Sequence, residues 1–382
     1  RYYQFEQQLS EAISSKLSAS VSANDNTKEN SNENSNENIQ ASGLIKTCLT
    51  TLFPEQFDPL AKLAKLTNST EAPQEDNDVL DWQLIAVANA LNKRFSIIAG
   101  GPGTGKTYTV IKLLAALLML DKMLLADKAP DKALNIALVA PTGKAAQRLS
   151  ESITKGINGF RGKIDDVLLN SIPTHAQTIH RLLGVIPNRP DFRHNQQNKL
   201  HLDVLIIDEV SMVDLALMTR IFSALPDKTK VILLGDADQL PSVATGSVLK
   251  DVAIRPHQGF SDENMSYLND VCQCDKQQQH VLQKLQAKNQ QNVADHLVFL
   301  NKSRRFDGKG GIGLLAKAVI AGKAKTSWDL LNPKVNSNAN GTATQDQQLT
   351  MLSTDTNNWL PALVQKYYAP MFACTDISAT FS

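Results

Sequence analysis

Apolar residues return at every fourth position at Leu9, Ile13 and Leu17, a spacing that places them on one face of a helix. The pattern then stops. From Asn24 to Asn38 the run NDNTKENSNENSNEN contains no apolar side chain. Such a stretch cannot bury enough surface to offset its ordering entropy, so a disordered insertion is expected over 24–38. A helical apolar face resumes from Leu44 to Leu66, interrupted near Pro54 and Pro59, and gives way to the polar linker TNSTEAPQEDND. A small separate helical domain is therefore expected over residues 1–72. Trp82–Leu91 reads as another helix, after which the short apolar runs SIIAG, NIALVAP, DVLIIDE and VILLGD alternate with helical stretches. That alternation predicts an α/β fold with a parallel sheet and crossover helices over residues 78–300. A hairpin or loop is expected as an insertion near 185–202, where Pro, Asn and basic residues gather. The stretch from about 256 to 300 is polar and Gln-rich. GIGLLAKAVIAG, beyond it, suits a helix at the start of a further domain over 301–382.

Composition narrows the function less than the pattern does. With 382 residues and 42% apolar content the chain can bury a sizeable core. Its longest apolar stretches fall short of the ~20 residues needed to cross a bilayer, so no transmembrane helix is expected. The start RYYQFEQQLSEAI has no apolar signal core, and no methionine either, and a cytoplasmic protein is the expectation. Cys48, Cys272, Cys274 and Cys374 are too few and too scattered for a disulfide framework or a paired-CxxC zinc site. Cys272 and Cys274 with His280 nearby do not complete a four-ligand set, and a solvated loop is the plainer reading. A net charge of +1 gives no global argument for nucleic acid, so any DNA contact has to be argued locally.

The strongest chemical signal is GGPGTGKT, Gly100–Thr107, set between the strand-like run ending at Ala99 and a helix with apolar positions Val110, Leu113, Leu114 and Leu117. Gly100, Gly101, Gly103 and Gly105, with Pro102 and Thr104 between them, let the backbone curl so that its amides face phosphate oxygens. Lys106 is expected to reach the β and γ phosphates of ATP and Thr107 to offer a hydroxyl to magnesium. Phosphoryl transfer then needs carboxylates. VLIIDEVSMVD supplies them at the end of a buried-type strand: Asp208 to hold Mg2+ through water, Glu209 to orient or deprotonate the attacking water. VILLGD ends in Asp236 and leads to Gln239, which suits either a γ-phosphate sensor or a polar turn.

Together, GGPGTGKT, VAPTGKAAQRL, TIHRLLG, LIIDEVSMVD and LLGDADQLPSV occur in the order of the first four conserved blocks of a superfamily 1 helicase, and their wording resembles the RecD subgroup, the alpha chains of exodeoxyribonuclease V. The resemblance runs over roughly residues 78–325. It implies a RecA-like P-loop domain, an ATP-dependent 5′ to 3′ DNA helicase or translocase in double-strand break repair, and beta (RecB) and gamma (RecC) chains as partners, the N-terminal helical domain docking on the gamma chain. Gln83, by itself a solvent-facing helix residue, matches the family's adenine-reading glutamine. Pro141, Thr142, Gly143 and Lys144 match a block that grips single-stranded DNA, where backbone amides and a hydroxyl at a helix start meet phosphate; a solvated helix residue is the lesser alternative for Lys144. Thr178, His180 and Arg181 resemble the next DNA contact, although His180 also suits a place inside the sheet domain. Arg305, rather than Arg304, matches the phosphate-contacting arginine that opens the second motor domain. Two further blocks of that domain do not occur before Ser382, so the chain is expected to be a piece of a longer motor with an incomplete second RecA-like domain. The alternatives are a P-loop kinase or transporter ATPase, against which the DNA blocks speak, and a scaffold subunit with residual, regulatory ATPase. Nuclease chemistry is not expected, since no second cluster of acidic ligands is present.

Overall fold

The computed structural model describes residues 2–18, 33–58, 79–125, 134–189, 191–239, 246–288, 293–302, 311–331 and 356–367. Arg304 and Arg305 lie outside these residues, as do the linker at 67–78 and most of the Asn/Glu-rich run. Two compact units are present, Arg1–Arg305 and Phe306–Ser382.

The first unit is built on a parallel sheet of six strands: β1 (Phe95–Gly100), β2 (Ile136–Ala140), β3 (Ala176–Thr178), β4 (Val204–Ile207), β5 (Lys230–Gly235) and β6 (Leu297–Leu300), in the order β3-β2-β4-β5-β1-β6. Every pairing is parallel, with Ala99 beside Gly235 and Ile207 beside Leu233. The central strands are continuous apolar runs because helices cover both faces. Alternate residues point to opposite sides, so Ile98, Ile206 and Ile232 enter one core while Ile97, Leu205 and Leu233 enter the other.

The opening helices belong to this unit. Helix α1 (Tyr2–Ser18) seats Leu9 and Ile13 in one core, and its Lys16 ammonium donates to the carbonyls of Pro226, Asp227 and Thr229 at 3.2, 3.1 and 2.8 Å. Helix α2 (Glu33–Leu52) sends Ile45, Cys48, Leu49 and Leu52 into the other core, followed by α3 (Pro54–Phe57). The region expected as a separate domain over 1–72 is thus, in its described residues, a set of helices on opposite faces of one sheet. Their apolar faces have no core of their own to share. The expected disorder over 24–38 also needs correction at its end, since 33–38 already form the first turns of α2.

Helix α4 (Trp82–Asn92) precedes β1, and α5 (Lys106–Leu125) follows it and buries Val110, Leu113, Leu114 and Leu117 as the apolar spacing predicts. After β2 come α6 (Gly143–Phe160) and α7 (Asp166–Ser171), and after β3 the short α8 (Ile179–Leu183). The insertion near 185–202 has a single antiparallel bridge, Val185 with Phe192, and no regular hairpin strands among its described residues. A 3-10 turn at Val210–Met212 leads to α9 (Leu215–Ala224), and α10 (Val248–Val252) follows β5.

The Gln-rich stretch carries α11 (Asp262–Val271) and α12 (Lys276–Gln283), which bury Leu268, Val271, Val281 and Leu282. Cys272 and Cys274 are buried in the same core and His280 is exposed, so the CxC is not the solvated loop its polar neighbours suggested. No group of three or more potential metal ligands occurs among the described residues, and no described helix is long and apolar enough to cross a membrane. In the second unit the described residues form α13 (Gly311–Ile320), α14 (Ala324–Leu331) and α15 (Thr356–Tyr367).

Candidate nucleotide site and its neighbours

The chemistry-bearing residues gather at the carboxyl ends of the strands, where an open parallel sheet leaves a crevice. Between β1 and α5 the chain turns through Gly103 at φ 78° and Gly105 at φ 88°, a left-handed backbone that glycine adopts without strain. Gly100 has no room for a side chain either, since a Cβ would sit 2.6 Å from Thr104 Oγ1. The loop is tied internally: Thr104 Oγ1 donates to the Gly101 carbonyl at 2.9 Å, and Lys106 Nζ donates to the carbonyls of Gly100 and Gly101 at 2.6 and 3.2 Å. Lys106 therefore lies across the cradle. Thr107 is half-buried beside it, one residue into α5, and Pro102 is exposed at the crest of the loop.

Asp208 follows β4, two strands from the loop, with β5 between. Burial raises its carboxyl to about 6; the Glu209 amide, donating to Oδ1 at 2.9 Å, and the Lys106 ammonium pull the other way, while the Glu209 carboxylate adds to the rise. Glu209 is left-handed at φ 53°, ψ 42°, a backbone that costs a non-glycine residue of order 1 kcal/mol or more and turns the chain sharply into the 3-10 turn. The arrangement fits a divalent cation on an observation independent of sequence: a carboxylate held against its own ionisation, with lysine as the nearby positive charge, gains from a cation beside it.

Asp236, at the end of the intervening β5, is 4% exposed. Its Oδ2 lies 3.9 Å from the position a Gly101 Cβ would take, and its Oδ1 accepts from the Asp238 amide at 3.0 Å. Sequence reasoning named this residue only as the end of a strand. The available signal was its match to Asp208, an acidic residue closing an apolar run. Gln239 is exposed on the turn that follows, its amide donating to the Asp236 carbonyl at 3.3 Å.

Gln83 is not solvent-facing. It is buried near the start of α4, and its amide nitrogen donates to the Thr104 carbonyl at 3.3 Å.

The residues matched to DNA sit at the other half of the same edge, where β2 and β3 pair with Ala140 beside Thr178. Thr142 caps α6, its Oγ1 accepting from the Ala145 amide at 3.2 Å, and Thr142, Gly143 and Lys144 are exposed while Pro141 is half-buried. Thr178 caps α8 in the same way through the Arg181 amide at 3.2 Å. His180 is exposed rather than packed inside, and it meets the Phe192 ring edge-on at 5.7 Å between centroids. Arg220 lies over the same ring at 5.4 Å. The inserted loop is thus fastened to α8 and α9 through Phe192.

A glycine cradle with its lysine, acidic strand ends on the two strands that follow in the sheet, and a capped helix at the next edge define a RecA-like P-loop domain. Residues 83–245 match the AAA domain family. The chain is 42% identical over 261 residues to the RecBCD enzyme subunit RecD of Haemophilus influenzae, an alignment covering 68% of this chain and 38% of that protein. It is 39% identical over 160 residues to the ATP-dependent RecD2 DNA helicase of Deinococcus radiodurans, covering 42% of this chain and 18% of that one. An unliganded Pif1 from Bacteroides overlaps 68% of this chain and 51% of its own at 22% identity and a TM-score of 0.32. These sequence matches, repeated across several RecD subunits, make the chain similar to the RecD-like superfamily 1 helicases. It spans under half the length of the curated relatives it matches.

Proposed function

We propose that this chain is the nucleotide-hydrolysing part of a RecD-like DNA helicase, a motor that moves along single-stranded DNA at duplex ends. The observation that carries this reading is the convergence of Lys106, Asp208 and Asp236 at the ends of β1, β4 and β5, beside capped helix starts at Thr142 and Thr178 on β2 and β3.

Bound magnesium supplies charge neutralisation at the phosphates, and Thr107 and Asp208 would hold it. Lys106 leaves the carbonyls of Gly100 and Gly101 for the β and γ phosphates, exchanging two neutral acceptors for charged ones. The amides of Gly101, Gly103 and Gly105 face the same oxygens. Glu209 orients the attacking water and accepts its proton, and Gln239 reports the γ phosphate to the turn after β5. The family resemblance supports Arg305 as the transition-state arginine. On the DNA side, Thr142, Gly143, Lys144, Thr178 and His180 hold phosphates of one strand. The names of the RecD relatives support assembly with beta (RecB) and gamma (RecC) chains, and the family resemblance supports 5′ to 3′ movement.

The test is ATP turnover with and without single-stranded DNA, beside Lys106→Ala. DNA-stimulated turnover that falls by roughly a hundredfold or more in Lys106→Ala is expected, since one charge-assisted contact to the transferred group is worth several kcal/mol. DNA-independent turnover insensitive to Lys106→Ala would sink the reading.

A further inference from the structure

After α10 the chain runs back along β6, the outer strand of the sheet, whose Phe299 and Leu300 lie beside Ala99 and Gly100 where the glycine loop begins. From Arg255 to Ser261 it passes Phe299, Leu297 and Asp295 in turn, opposite in direction to β6, and side chains make most of the fastenings. The Arg255 guanidinium carbon lies 4.2 Å from the centre of the Phe299 ring. His257 Nδ1 accepts from the Gly259 amide at 2.9 Å, which leaves the ring proton on Nε2 for the Leu297 carbonyl at 2.9 Å. The Gly259 carbonyl accepts from the Ala294 amide at 2.8 Å, and Ser261 donates through its amide and hydroxyl to the Asp295 carboxylate at 2.8 and 2.7 Å. A strap fastened at this many points leaves little slack at its first residue.

That residue, Arg255, has a second contact away from β6. Its Nη2 pairs with Asp238 Oδ2 at 3.4 Å. Asp238 lies on the turn after β5, where its own amide donates to Asp236 Oδ1 at 3.0 Å and the Gln239 amide donates to the Asp236 carbonyl at 3.3 Å. β5 and β6 flank β1, so Arg255 ties together the two neighbours of the strand that carries the glycine loop. A planar guanidinium suits this task, since its face stacks on a ring while its edge donates to a carboxylate. The Arg255 and Asp238 side chains are 40% and 25% exposed, and an ion pair this open to water adds little to stability. What it fixes is the place of the turn.

We propose that Arg255 is a positioning residue for ATP turnover: seated on Phe299, it holds the turn that bears Asp236 and Gln239 against the glycine loop, so that the γ phosphate meets a turn already in place. This rests on the ATPase reading above. Asp236 Oδ2 is 3.9 Å from the position of a Gly101 Cβ, close enough that a displaced turn would change the wall of the phosphate site.

Arg255→Met keeps an apolar stem over Phe299 and removes the charge, and Asp238→Asn removes the pair from the other side. Both are made in the full chain, singly and together. Without nucleotide, Arg255→Met is expected to speed amide exchange at Asp238 and Gln239 by roughly fivefold, the upper end for an ion pair open to water, while β1 and β5 keep their protection and show the sheet folded. In DNA-stimulated turnover kcat for ATP falls by a similar factor, and the affinity for ADP, which has no γ phosphate, stays within about twofold. The double variant loses no more than the worse single one, because both changes remove the same contact. Arg255→Lys returns the charge without the planar fork and recovers part of the loss in kcat. Unchanged exchange at the turn, additive losses in the double variant, or ADP affinity falling as far as kcat would each overturn the proposal. Should the parent chain hydrolyse no ATP, the ATPase reading fails on its own, and exchange at the turn still decides whether Arg255 holds it.

Discussion

At Asp208 burial works against the charge that the chemistry requires. The carboxyl titrates at about 6 in the folded chain against an ordinary 3.8. Between those values the folded chain holds a proton that the unfolded chain has released, so stability falls as pH rises through the window and the full cost stands above about 6. Asp208→Asn removes that cost. In the nucleotide-free chain it is expected to stabilise by on the order of 2 kcal/mol near pH 8 and by nothing below about pH 4. Urea melts at the two pH values check this, and equal effects at both would contradict it. The functional counterpart runs the other way. Magnesium-dependent nucleotide binding by the parent chain should weaken as pH drops through about 6, two units above where an ordinary aspartate would fail, and Asp208→Asn should lack that binding at every pH.

Helix α4 shows how a single side chain can decide an element. Its last carbonyls would be orphans in the sheet unit were the Lys230 ammonium not donating to three of them, Ala90, Leu91 and Lys93. Burial pushes this lysine down to about 7, and the nearby Arg94 charge pushes the same way. Lys230→Met keeps the stem and removes the donors, and a loss of about 3 kcal/mol is expected, read as a lower urea midpoint with an unchanged slope. Nothing in the sequence pointed to Lys230, because a lysine opening an apolar run reads as a solvated strand end. The same limit explains what else was hidden. The runs around Ile97, Ile206 and Leu233 were legible as strands because a strand buried on both faces has to be apolar throughout. β3 is only Ala-Gln-Thr, with no apolar signature, and exists because β2 offers an unpaired edge. Cys272 and Cys274 sit among Gln and Asp in sequence, yet they share a buried core with Val281 and Leu282 of α12. Gly100–Thr107 and Asp208-Glu209 stood out as candidates in the sequence, since the proposed chemistry would fix residue type and spacing together, and the structure brings them to the same end of the sheet. Gln83 and Asp236 come beside the phosphate loop only through the tertiary fold, which no spacing encodes.

Across the whole first unit, the candidate nucleotide residues and the proposed DNA residues divide one sheet edge between them, with β5, β1 and β4 on one side and β2 and β3 on the other. β4 pairs with β2, Ile207 beside Val139, so Asp208 and the Pro141–Lys144 block hang from adjacent strands, and the Asp208 amide donates to the Val139 carbonyl at 2.9 Å. Coupling between the two proposed sites has a direct route through these paired strands. Coupling of this kind is reciprocal: the factor by which nucleotide alters DNA affinity equals the factor by which DNA alters nucleotide affinity. Lys144→Ala should weaken single-stranded DNA binding and lower the slope of log affinity against log salt by about 0.7, the release of one counterion. Nucleotide affinity without DNA should stay within about twofold, because Lys144 is exposed on α6 and distant in the sheet from the glycine loop. The stimulation of ATP turnover by DNA should fall in proportion to DNA occupancy and recover at saturating DNA. An unchanged salt slope would take Lys144 out of the phosphate contacts. Stimulation that stays low at saturating DNA would instead place the residue in the coupling between the two ends of the sheet.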